Sequence, residues 1–505
     1  MAVTLGPLDL VVVDSLETAL HTHFGWSRFR AGQRPVVEAV LSGRDALAVL
    51  PTGGGKSLCY QLPALIRGGL VVVISPLVAL MEDQVLQLRR RGIAAACLHA
   101  GLDPARRQQA MAALRDESLR LLYLAPERLQ GEATQRLLET HAAEGRLVAL
   151  AVDEAHCISA WGHDFRPDYR RLGLIRRLCP GVPMLALSAT AAPRVRADIL
   201  RLLDLRSPLV QVSSARRENL RYAMQRRPRD PMPQVLEALE QSRGATLIYA
   251  RTRRSVEHWA ERLQGQSVEA TPYHAGLDPA TRQTALTQFL EQERPVLVAT
   301  VAFGMGVDRG DVGLVLHLDL PSTPEGYLQE SGRAGRDGQP ARCLVLFSPG
   351  DRTSLGWAMR AAAGRGTTPD ERHRLDLAQQ QLRRMEAVAE GEMCREQALL
   401  LAVGELVDPC GRCDRCSASP KRKDWSRQAT TLLTHLDDLD GTDMRRLGEH
   451  LALHETGQGE RWTWLARRLV QEELIRESND GVQRLQLRDS GRRYLERPWP
   501  LDFAA

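Results

Sequence analysis

The feature that most constrains the fold is a set of short apolar runs that occurs twice along the 505-residue chain. The first set alternates with helix-like stretches and comprises Leu47–Leu50, Leu70–Ile74, Leu121–Leu124, Val148–Val152 and Met184–Leu187. The second set comprises Ala245–Tyr249, Val296–Thr300, Gly313–His317 and Cys343–Phe347. Nearly continuous apolar runs of this length are typical of strands buried on both faces of a parallel sheet. The sequence therefore predicts two successive α/β lobes with a cleft between them.

The chain is too long for a single hydrophobic core, and the strand-like runs stop near residue 352. After that point comes a helix-like stretch rich in Arg, Glu and Gln, then a cysteine cluster, then the polar segment Ser417–Lys423. We predict four domains: a first lobe at 1–208, a second lobe at 209–350, a cysteine-containing module at 351–420 and a C-terminal domain at 421–505. Gln225–Pro231 is interpreted as a polar linker between the lobes.

The last domain reads as two or three helices followed by a short hairpin. Its predicted strands are Leu474–Glu477 and Gln483–Leu487, with Asn479–Gly481 as the turn. This order favours a winged helix, and a generic α+β cap is the alternative.

A phosphate-binding loop follows the first apolar run. Lys56 is the only lysine before Lys421, in a chain where all but three of the 67 basic residues are arginine. Glycines let backbone N–H groups close around phosphates, and a compact ammonium fits between phosphate oxygens. The expected nucleotide-binding residues are Thr52, Gly53, Gly54, Gly55, Lys56 and Ser57. Leu50 occupies the position where the usual pattern has glycine.

Two adjacent carboxylates, Asp153 and Glu154, directly follow the run Val148–Val152. Carboxylates at the C-terminal end of a parallel strand point into the ligand crevice. We expect Asp153 and Ser57 to hold Mg²⁺, and Glu154 to orient and deprotonate a water molecule. A surface acidic pair that caps the next helix is the alternative.

The segment Gln329–Gly338 in the second lobe carries two arginines, Arg333 and Arg336, on one helical face. Negative charge builds on a transferring γ-phosphate, and a guanidinium from another lobe stabilises it. Gln329, which opens the segment, is placed in the same catalytic group. Arginines on a solvated helix are the alternative.

Four of the nine cysteines form a cluster with the spacing C-x15-C-x2-C-x2-C: Cys394, Cys410, Cys413 and Cys416. Four thiolates satisfy tetrahedral Zn²⁺ without an open position, so the predicted site is structural. An iron–sulfur cluster and free structural cysteines are the alternatives. The other five cysteines are isolated and are interpreted as core residues.

The composition and net charge of the chain exclude few classes of function. The net charge of +5 permits a polyanionic partner without requiring one. No apolar run approaches the roughly 18 residues that span a bilayer, and no signal-peptide pattern opens the chain. We therefore expect a cytoplasmic protein.

Over nearly its full length the chain resembles superfamily 2 helicases, and within them the RecQ family. Phe24–Gln33 resembles the family's adenine-reading element, which implies Gln33 on the base edge, Trp26 stacked on the ring and Arg30 nearby. Further matching motifs are Ser75–Met81, Ala125–Leu129, Ser188–Thr190, Tyr273–Leu277 and Ala299–Gly306. The resemblance implies two RecA-like lobes, an arginine finger at Arg336 assisted by Arg333, a zinc module and a winged helix.

The stretch most specific to that family is His156–Pro167. The resemblance assigns base stacking and DNA sensing to Trp161, Phe165 and Arg166, with His163 in the same group. An aromatic and basic loop beyond the carboxylates suits this role. Ser188 and Thr190 are expected to couple hydrolysis to movement. A hydrophobic loop packed on its own lobe is the alternative.

Several positions depart from the family pattern. Glu82 replaces a basic residue, Val307–Asp311 replaces Ile-Asn-Lys-Pro-Asp, Arg217–Leu220 replaces Arg-Pro-Asn-Ile, and Val403–Glu405 replaces Phe-Gly-Glu. Residues 424–505 suffice for a winged helix alone, so the helicase-and-RNaseD-C-terminal domain of many members is expected to be absent.

The resemblance implies an ATP-dependent 3′→5′ DNA helicase in recombination or repair, with ATP, Mg²⁺ and Zn²⁺ as cofactors. Its expected partners are single-stranded DNA and tailed or forked duplex. We expect a monomer in the cytoplasm, associated with the nucleoid. The alternatives are a DNA-stimulated translocase or branch remodeller that unwinds weakly, an RNA helicase, and a non-catalytic DNA-binding protein.

Overall fold

A computed structural model describes residues 14–162, 164–301, 303, 309–362, 368–418, 422–439, 441–452, 459–478 and 484–504. Among these residues, no helix is both long and apolar enough to cross a lipid bilayer.

The first lobe is a seven-stranded parallel sheet with a hydrophobic core on each face. Its strands are β1 (Ala46–Val49), β2 (Leu70–Ile74), β3 (Ala95–Leu98), β4 (Leu121–Leu124), β5 (Leu147–Val152), β6 (Met184–Ser188) and β7 (Leu209–Val212), in the order β3-β4-β2-β5-β6-β1-β7. Its α-helices are α1 (Asp14–Phe24), α2 (Gln33–Leu41), α3 (Leu58–Arg67), α4 (Val78–Arg90), α5 (Pro104–Arg115), α6 (Glu132–Ala143), α7 (Gly173–Leu178) and α8 (Pro193–Leu202). Short 3₁₀ helices span Pro126–Gln130, Ala155–Ile158 and Pro167–Leu172.

The second lobe is a six-stranded parallel sheet, again with a core on each face. Its strands are β8 (Leu220–Arg226), β9 (Ala245–Tyr249), β10 (Ala270–Tyr273), β11 (Val296–Ala299), β12 (Val312–His317) and β13 (Ala341–Phe347), in the order β10-β11-β9-β12-β13-β8. Its helices are α9 (Met232–Glu240), α10 (Arg253–Gln264), α11 (Pro279–Glu291) and α12 (Pro324–Ser331). The predicted pair of parallel-sheet lobes is confirmed.

Two predicted boundaries are wrong. Strand β7 pairs in parallel with β1, so residues 209–212 belong to the first lobe and the boundary at 208 is too early. Gln225 and Arg226 end strand β8, so the linker assigned to 225–231 overlaps the second sheet. The chain passes between the sheets through residues 213–219, which we call the connector.

The cysteine-containing module is helical, with α13 (Pro349–Ala362), α14 (Pro369–Glu390), α15 (Arg395–Ala402) and α16 (Asp414–Ser417). Its apolar side chains Leu382, Met385 and Leu399 join the same hydrophobic cluster as Leu220 and Tyr222 of strand β8. The module and the second lobe therefore share one core.

The C-terminal unit has its own core, centred on Leu432, Leu465 and Leu485. Its elements are β14 (Arg422–Asp424), α17 (Ser426–Asp438), β15 (Thr442–Asp443), α18 (Met444–Ala452), α19 (Gly459–Gln471), β16 (Ile475–Glu477), β17 (Arg484–Leu487), α20 (Asp489–Glu496) and β18 (Asp502–Ala504). Strands β16 and β17 form the predicted antiparallel hairpin, and β15 extends it. The predicted turn 479–481 lies outside the described residues. This order is compatible with the winged helix, which stays a prediction.

Candidate functional site

The predicted nucleotide-site residues converge on a cleft of about 780 Å³ between the two lobes. The first lobe contributes Trp26, Arg30, Gln33, Thr52, Gly53, Gly55, Lys56, Ser57, Asp153 and Glu154, and the second contributes Gln329, Arg333 and Arg336. Gly54 is not among the lining residues, and a Cβ on it would lie 2.8 Å from the Pro51 carbonyl oxygen. One cleft thus holds residues that are up to about 300 positions apart in the chain.

The phosphate-binding loop lies between strand β1 and helix α3. Gly53 and Gly55 have φ angles of +80° and +72°, which only glycine adopts without strain. The Gln33 amide nitrogen donates to the carbonyl oxygens of Gly54 (3.1 Å) and Gly55 (2.9 Å), and its amide oxygen accepts from the Arg30 backbone N–H (2.7 Å). Gln33 therefore braces the loop, and its predicted contact with an adenine edge stays a prediction.

The carboxylate pair lies where strand β5 ends. Glu154 has a φ of +47°, a left-handed conformation that costs roughly 1–3 kcal/mol for a residue other than glycine. Burial and the neighbouring Glu154 carboxylate raise the pKa of Asp153, and the Lys56 ammonium opposes that rise. The two buried carboxylates and the Ser57 hydroxyl line the same cleft and offer hard oxygen donors, which suit Mg²⁺.

A polar relay lies behind Glu154. His156 Nδ1 is 3.3 Å from Glu154 Oε2 and 3.0 Å from Ser188 Oγ. The Ser188 hydroxyl in turn donates to the Thr190 carbonyl oxygen at 2.7 Å. The structure thus brings the predicted coupling residues into contact with the carboxylate pair through His156, a link that spacing along the chain did not indicate.

The arginine-bearing loop of the second lobe lies against the phosphate-binding loop. A Cβ on Gly53 would lie 3.5 Å from Arg336 Cγ, and a Cβ on Gly332 would lie 3.2 Å from Thr52 Cβ. Arg333 is buried beside them. The two lobes therefore meet at the predicted phosphate-binding loop.

The aromatic loop is the stretch His156–Pro167, and its described aromatic and basic side chains contact other residues of the protein. The Arg194 guanidinium lies 3.4 Å from the Trp161 ring centroid, and His373 of helix α14 meets the same ring edge-on at 6.2 Å. The Arg170 guanidinium lies 5.0 Å from the Phe165 ring centroid, and Arg166 donates to the Pro76 carbonyl oxygen at 2.8 Å. His163 lies outside the described residues. The DNA-binding role of this loop stays a prediction.

The four clustered cysteines meet at one point, with all sulfur atoms within 4.8 Å of one another. The Cys394–Cys413 and Cys410–Cys416 sulfur separations are 3.8 Å and 4.0 Å. A tetrahedral ZnS₄ site with Zn–S bonds near 2.3 Å has sulfur separations of roughly 3.8 Å. Backbone N–H groups donate to these sulfurs, for example from Cys410 to Cys394 at 3.2 Å, which stabilises thiolates. The cluster therefore fits a closed, structural zinc site.

Several cleft residues were not among the predicted site residues, although two of them, Arg28 and Asp337, lie within the predicted motifs. Arg28, Gln61, Gln84, Arg91 and Asp337 also line the cleft. Arg91 donates to the Phe24 carbonyl oxygen at 3.3 Å, and Phe24 stacks on Trp26 with ring centroids 5.4 Å apart. One arginine at the end of helix α4 is not distinguishable from the others in an arginine-rich chain, so only the fold identifies it.

Two departures from the family pattern have local roles. Glu82 Oε1 lies 3.3 Å from His99 Nε2. Arg309 pairs with Asp311 through contacts of 2.6 Å and 2.9 Å, and Gly310 lines the cleft. Asp308 lies outside the described residues. Arg309 thus anchors the segment before strand β12.

Three family models match successive parts of the chain: DEAD/DEAH box helicase at residues 30–199, Helicase conserved C-terminal domain at 230–338, and RecQ zinc-binding at 350–417. Among solved structures, the helicase Lhr of Mycobacterium smegmatis bound to ssDNA and AMP-PNP is 18% identical, with a TM-score of 0.55 over 95% of this chain and 61% of that one. That likeness shows the fold alone.

Two curated relatives bear the name ATP-dependent DNA helicase RecQ. The protein of Haemophilus influenzae is 40% identical over 409 residues, which are 81% of this chain and 64% of the relative. The protein of Pasteurella multocida is 38% identical over 450 residues, which are 89% of this chain and 67% of the relative. The phosphate-binding loop, the paired carboxylates, the arginine-bearing loop and the four cysteines all lie within the residues that the family models match. The chain therefore belongs to the RecQ family of helicases.

Proposed function

We propose that the protein is an ATP-dependent DNA helicase that moves 3′→5′ on single-stranded DNA and unwinds duplex in recombination or repair. The observation that carries the proposal is the close approach of Arg336, from the second lobe, to Gly53 of the phosphate-binding loop in the cleft. A guanidinium from one lobe at the phosphates bound by the other couples ATP hydrolysis to cleft closure. The relatives' names, which say DNA helicase, support the choice of DNA.

In this mechanism Lys56 and the backbone of the phosphate-binding loop bind the β- and γ-phosphates. Asp153 and Ser57 would hold Mg²⁺, which neutralises phosphate charge. Glu154 orients the attacking water and accepts its proton, while Arg336, assisted by Arg333 and Gln329, stabilises the charge that builds on the γ-phosphate.

His156, Ser188 and Thr190 connect this site to the segment that precedes helix α8. Trp161 lies against Arg194 of the same helix, so hydrolysis and the aromatic loop have a short route of communication. We propose that Trp161, Phe165 and Arg166 contact unpaired bases once DNA displaces their present partners.

The remaining proposals concern the setting. We infer that Cys394, Cys410, Cys413 and Cys416 hold Zn²⁺ and that the C-terminal unit acts as a winged helix on tailed or forked duplex. A monomeric protein, cytoplasmic and associated with the nucleoid, is the expected working form, and light scattering with and without DNA would test the monomer.

The decisive experiment measures ATP hydrolysis with and without single-stranded DNA, then strand displacement on 3′-tailed, 5′-tailed and forked duplexes. Strong stimulation together with displacement of the 3′-tailed duplex is expected. Stimulation without displacement would favour a translocase or branch remodeller, a candidate suggested by the predicted hairpin turn Asn479–Gly481, which has no aromatic residue. Hydrolysis that does not respond to DNA would contradict both motor functions.

Gly55→Ala is expected to weaken ATP binding about tenfold, because the added Cβ would lie 2.4 Å from the Gln33 amide nitrogen. Gly43→Ala is the matched control: its φ of +75° imposes similar strain, and no atom lies within 4 Å of its Cβ. Titration with a fluorescent ATP analogue measures both. Equal losses in the two variants would show that backbone strain, and not the Gln33 brace, sets the affinity.

A further inference from the structure

The proposed mechanism gives no role to the motif Arg217–Leu220, which spans the end of the connector and the first residue of strand β8. The connector leaves the first sheet where the Ser213 N–H donates to the Val49 carbonyl oxygen at 2.9 Å. It enters the second sheet at Leu220, the first residue of strand β8. Between these two points, the side chains of Arg217 and Asn219 reach the arginine-bearing loop.

Both side chains bind the same backbone oxygen. The Gly335 carbonyl oxygen accepts from Arg217 Nη2 at 2.5 Å, from Asn219 Nδ2 at 2.8 Å and from the Gly338 N–H at 3.1 Å. Asn219 Nδ2 also donates to the Gln339 carbonyl oxygen at 2.8 Å. Gly335 directly precedes Arg336, so the connector holds the backbone from which that arginine extends.

The fit around Gly335 is tight. Its φ is +53°, and a Cβ there would lie 2.4 Å from Asn219 Nδ2. The Gly335 N–H donates to the Val312 carbonyl oxygen at 2.9 Å, which also fixes the preceding peptide group, between Ala334 and Gly335. The loop is therefore held by directed hydrogen bonds, whose loss would let it shift.

The zinc module holds the connector from the opposite side. Arg412, between Cys410 and Cys413 in the chain, donates to the carbonyl oxygens of Arg217 and Leu220, both at 3.1 Å. Glu396 pairs with Arg216 at 2.8 Å and also with Arg412.

A second carboxylate of the same module acts further up the connector. Glu405 accepts from the Ala215 N–H at 2.9 Å and from the Ser214 hydroxyl. The connector is thus held between the zinc module and the arginine-bearing loop.

We propose that Arg217 and Asn219 are positioning residues for ATP hydrolysis. By binding the Gly335 carbonyl they set how far Arg336 reaches into the cleft, and Arg412, Glu396 and Glu405 of the zinc module keep the connector in register for that contact. Displacement of a catalytic group by about 1 Å costs roughly a hundredfold in rate, so a tether of this kind affects turnover more than nucleotide binding. The inference rests on the proposed ATP hydrolysis.

The test uses the full chain with Arg217→Ala, Asn219→Ala and the conservative Arg217→Lys. Arg221→Ala is the matched control, since Arg221 is an exposed arginine four residues away on strand β8. We expect kcat for DNA-stimulated hydrolysis to fall about tenfold or more in both alanine variants, with KM for ATP within about twofold. Arg217→Lys is expected to restore part of kcat, because an ammonium can donate to one carbonyl.

A second readout separates positioning from folding. Affinity for ADP with aluminium fluoride, which mimics the transferring phosphoryl group, is expected to fall with kcat, while ADP affinity and the thermal unfolding midpoint match those of Arg221→Ala. Variants that keep the kcat of Arg221→Ala would overturn the inference, as would equal losses of ADP affinity and of transition-state-mimic affinity. If the unsubstituted chain hydrolyses no ATP, the proposed function itself fails. If it hydrolyses ATP and the variants behave like Arg221→Ala, only the positioning inference fails.

Discussion

Lys56→Ala is expected to lower ATP hydrolysis by about a thousandfold or more, because Lys56 is the cation of the phosphate-binding loop and lines the same cleft as Asp153 and Glu154. DNA binding is expected to persist and to weaken with rising salt, since phosphate contacts on DNA release counterions. Initial rates with saturating single-stranded DNA and anisotropy at several salt concentrations measure the two effects.

Lys423→Ala provides the control for the loss of a lysine. Lys423 lies on strand β14, is exposed and belongs to the C-terminal unit. Its variant is expected to hydrolyse ATP at the unsubstituted rate. Appreciable hydrolysis by Lys56→Ala would show that the phosphate-binding loop has been assigned wrongly.

Cys413→Ala is expected to release the zinc ion and to destabilise both the zinc module and the second lobe. Cys413 is completely buried in the cluster shared by the second lobe and the zinc module. Structural zinc contributes roughly 10 kcal/mol or more to the folding of small metal-dependent units. We expect a large fall in the unfolding midpoint and loss of DNA-stimulated hydrolysis, measured by calorimetry, by metal analysis and by ATPase rates.

Cys343→Ala is the appropriate comparison, because Cys343 is an equally buried thiol of the same core that lies outside the cysteine cluster. It is expected to retain zinc and to lose about 1 kcal/mol of stability. If Cys413→Ala retained zinc and unfolded at the same temperature as Cys343→Ala, the site would not hold a structural metal.

The interior strands of both sheets were predictable from apolar runs, and the edge strands were not. The four strands that the apolar runs did not indicate are β3, β7, β8 and β10, which are the four edges of the two sheets. Strands β7 and β8 lie at sheet edges, where one face of the strand is less covered than in the sheet interior. Their residues therefore alternate in burial, and their sequences lack a continuous apolar run. The misplaced lobe boundary follows from the same cause.

The residues of the candidate site also fall into a predictable group and a group that the sequence did not indicate. Lys56, Asp153 and Arg336 were predictable because phosphate chemistry dictates local patterns around each of them. The brace made by Gln33 and the tether made by Arg217 depend on contacts between segments 22 and 118 residues apart, which no local pattern encodes. Local motifs therefore identify residues that meet in the cleft, and the fold identifies the contacts that hold their backbone in place.

The core that the second lobe shares with the zinc module has a consequence for the design of a minimal fragment of this chain. A cut at residue 350 would separate Tyr222 from Leu382 and Met385, leaving an apolar face of the lobe open to water. We expect such a fragment to aggregate through this exposed apolar surface. The smallest piece that keeps this core whole includes the fourth cysteine, Cys416.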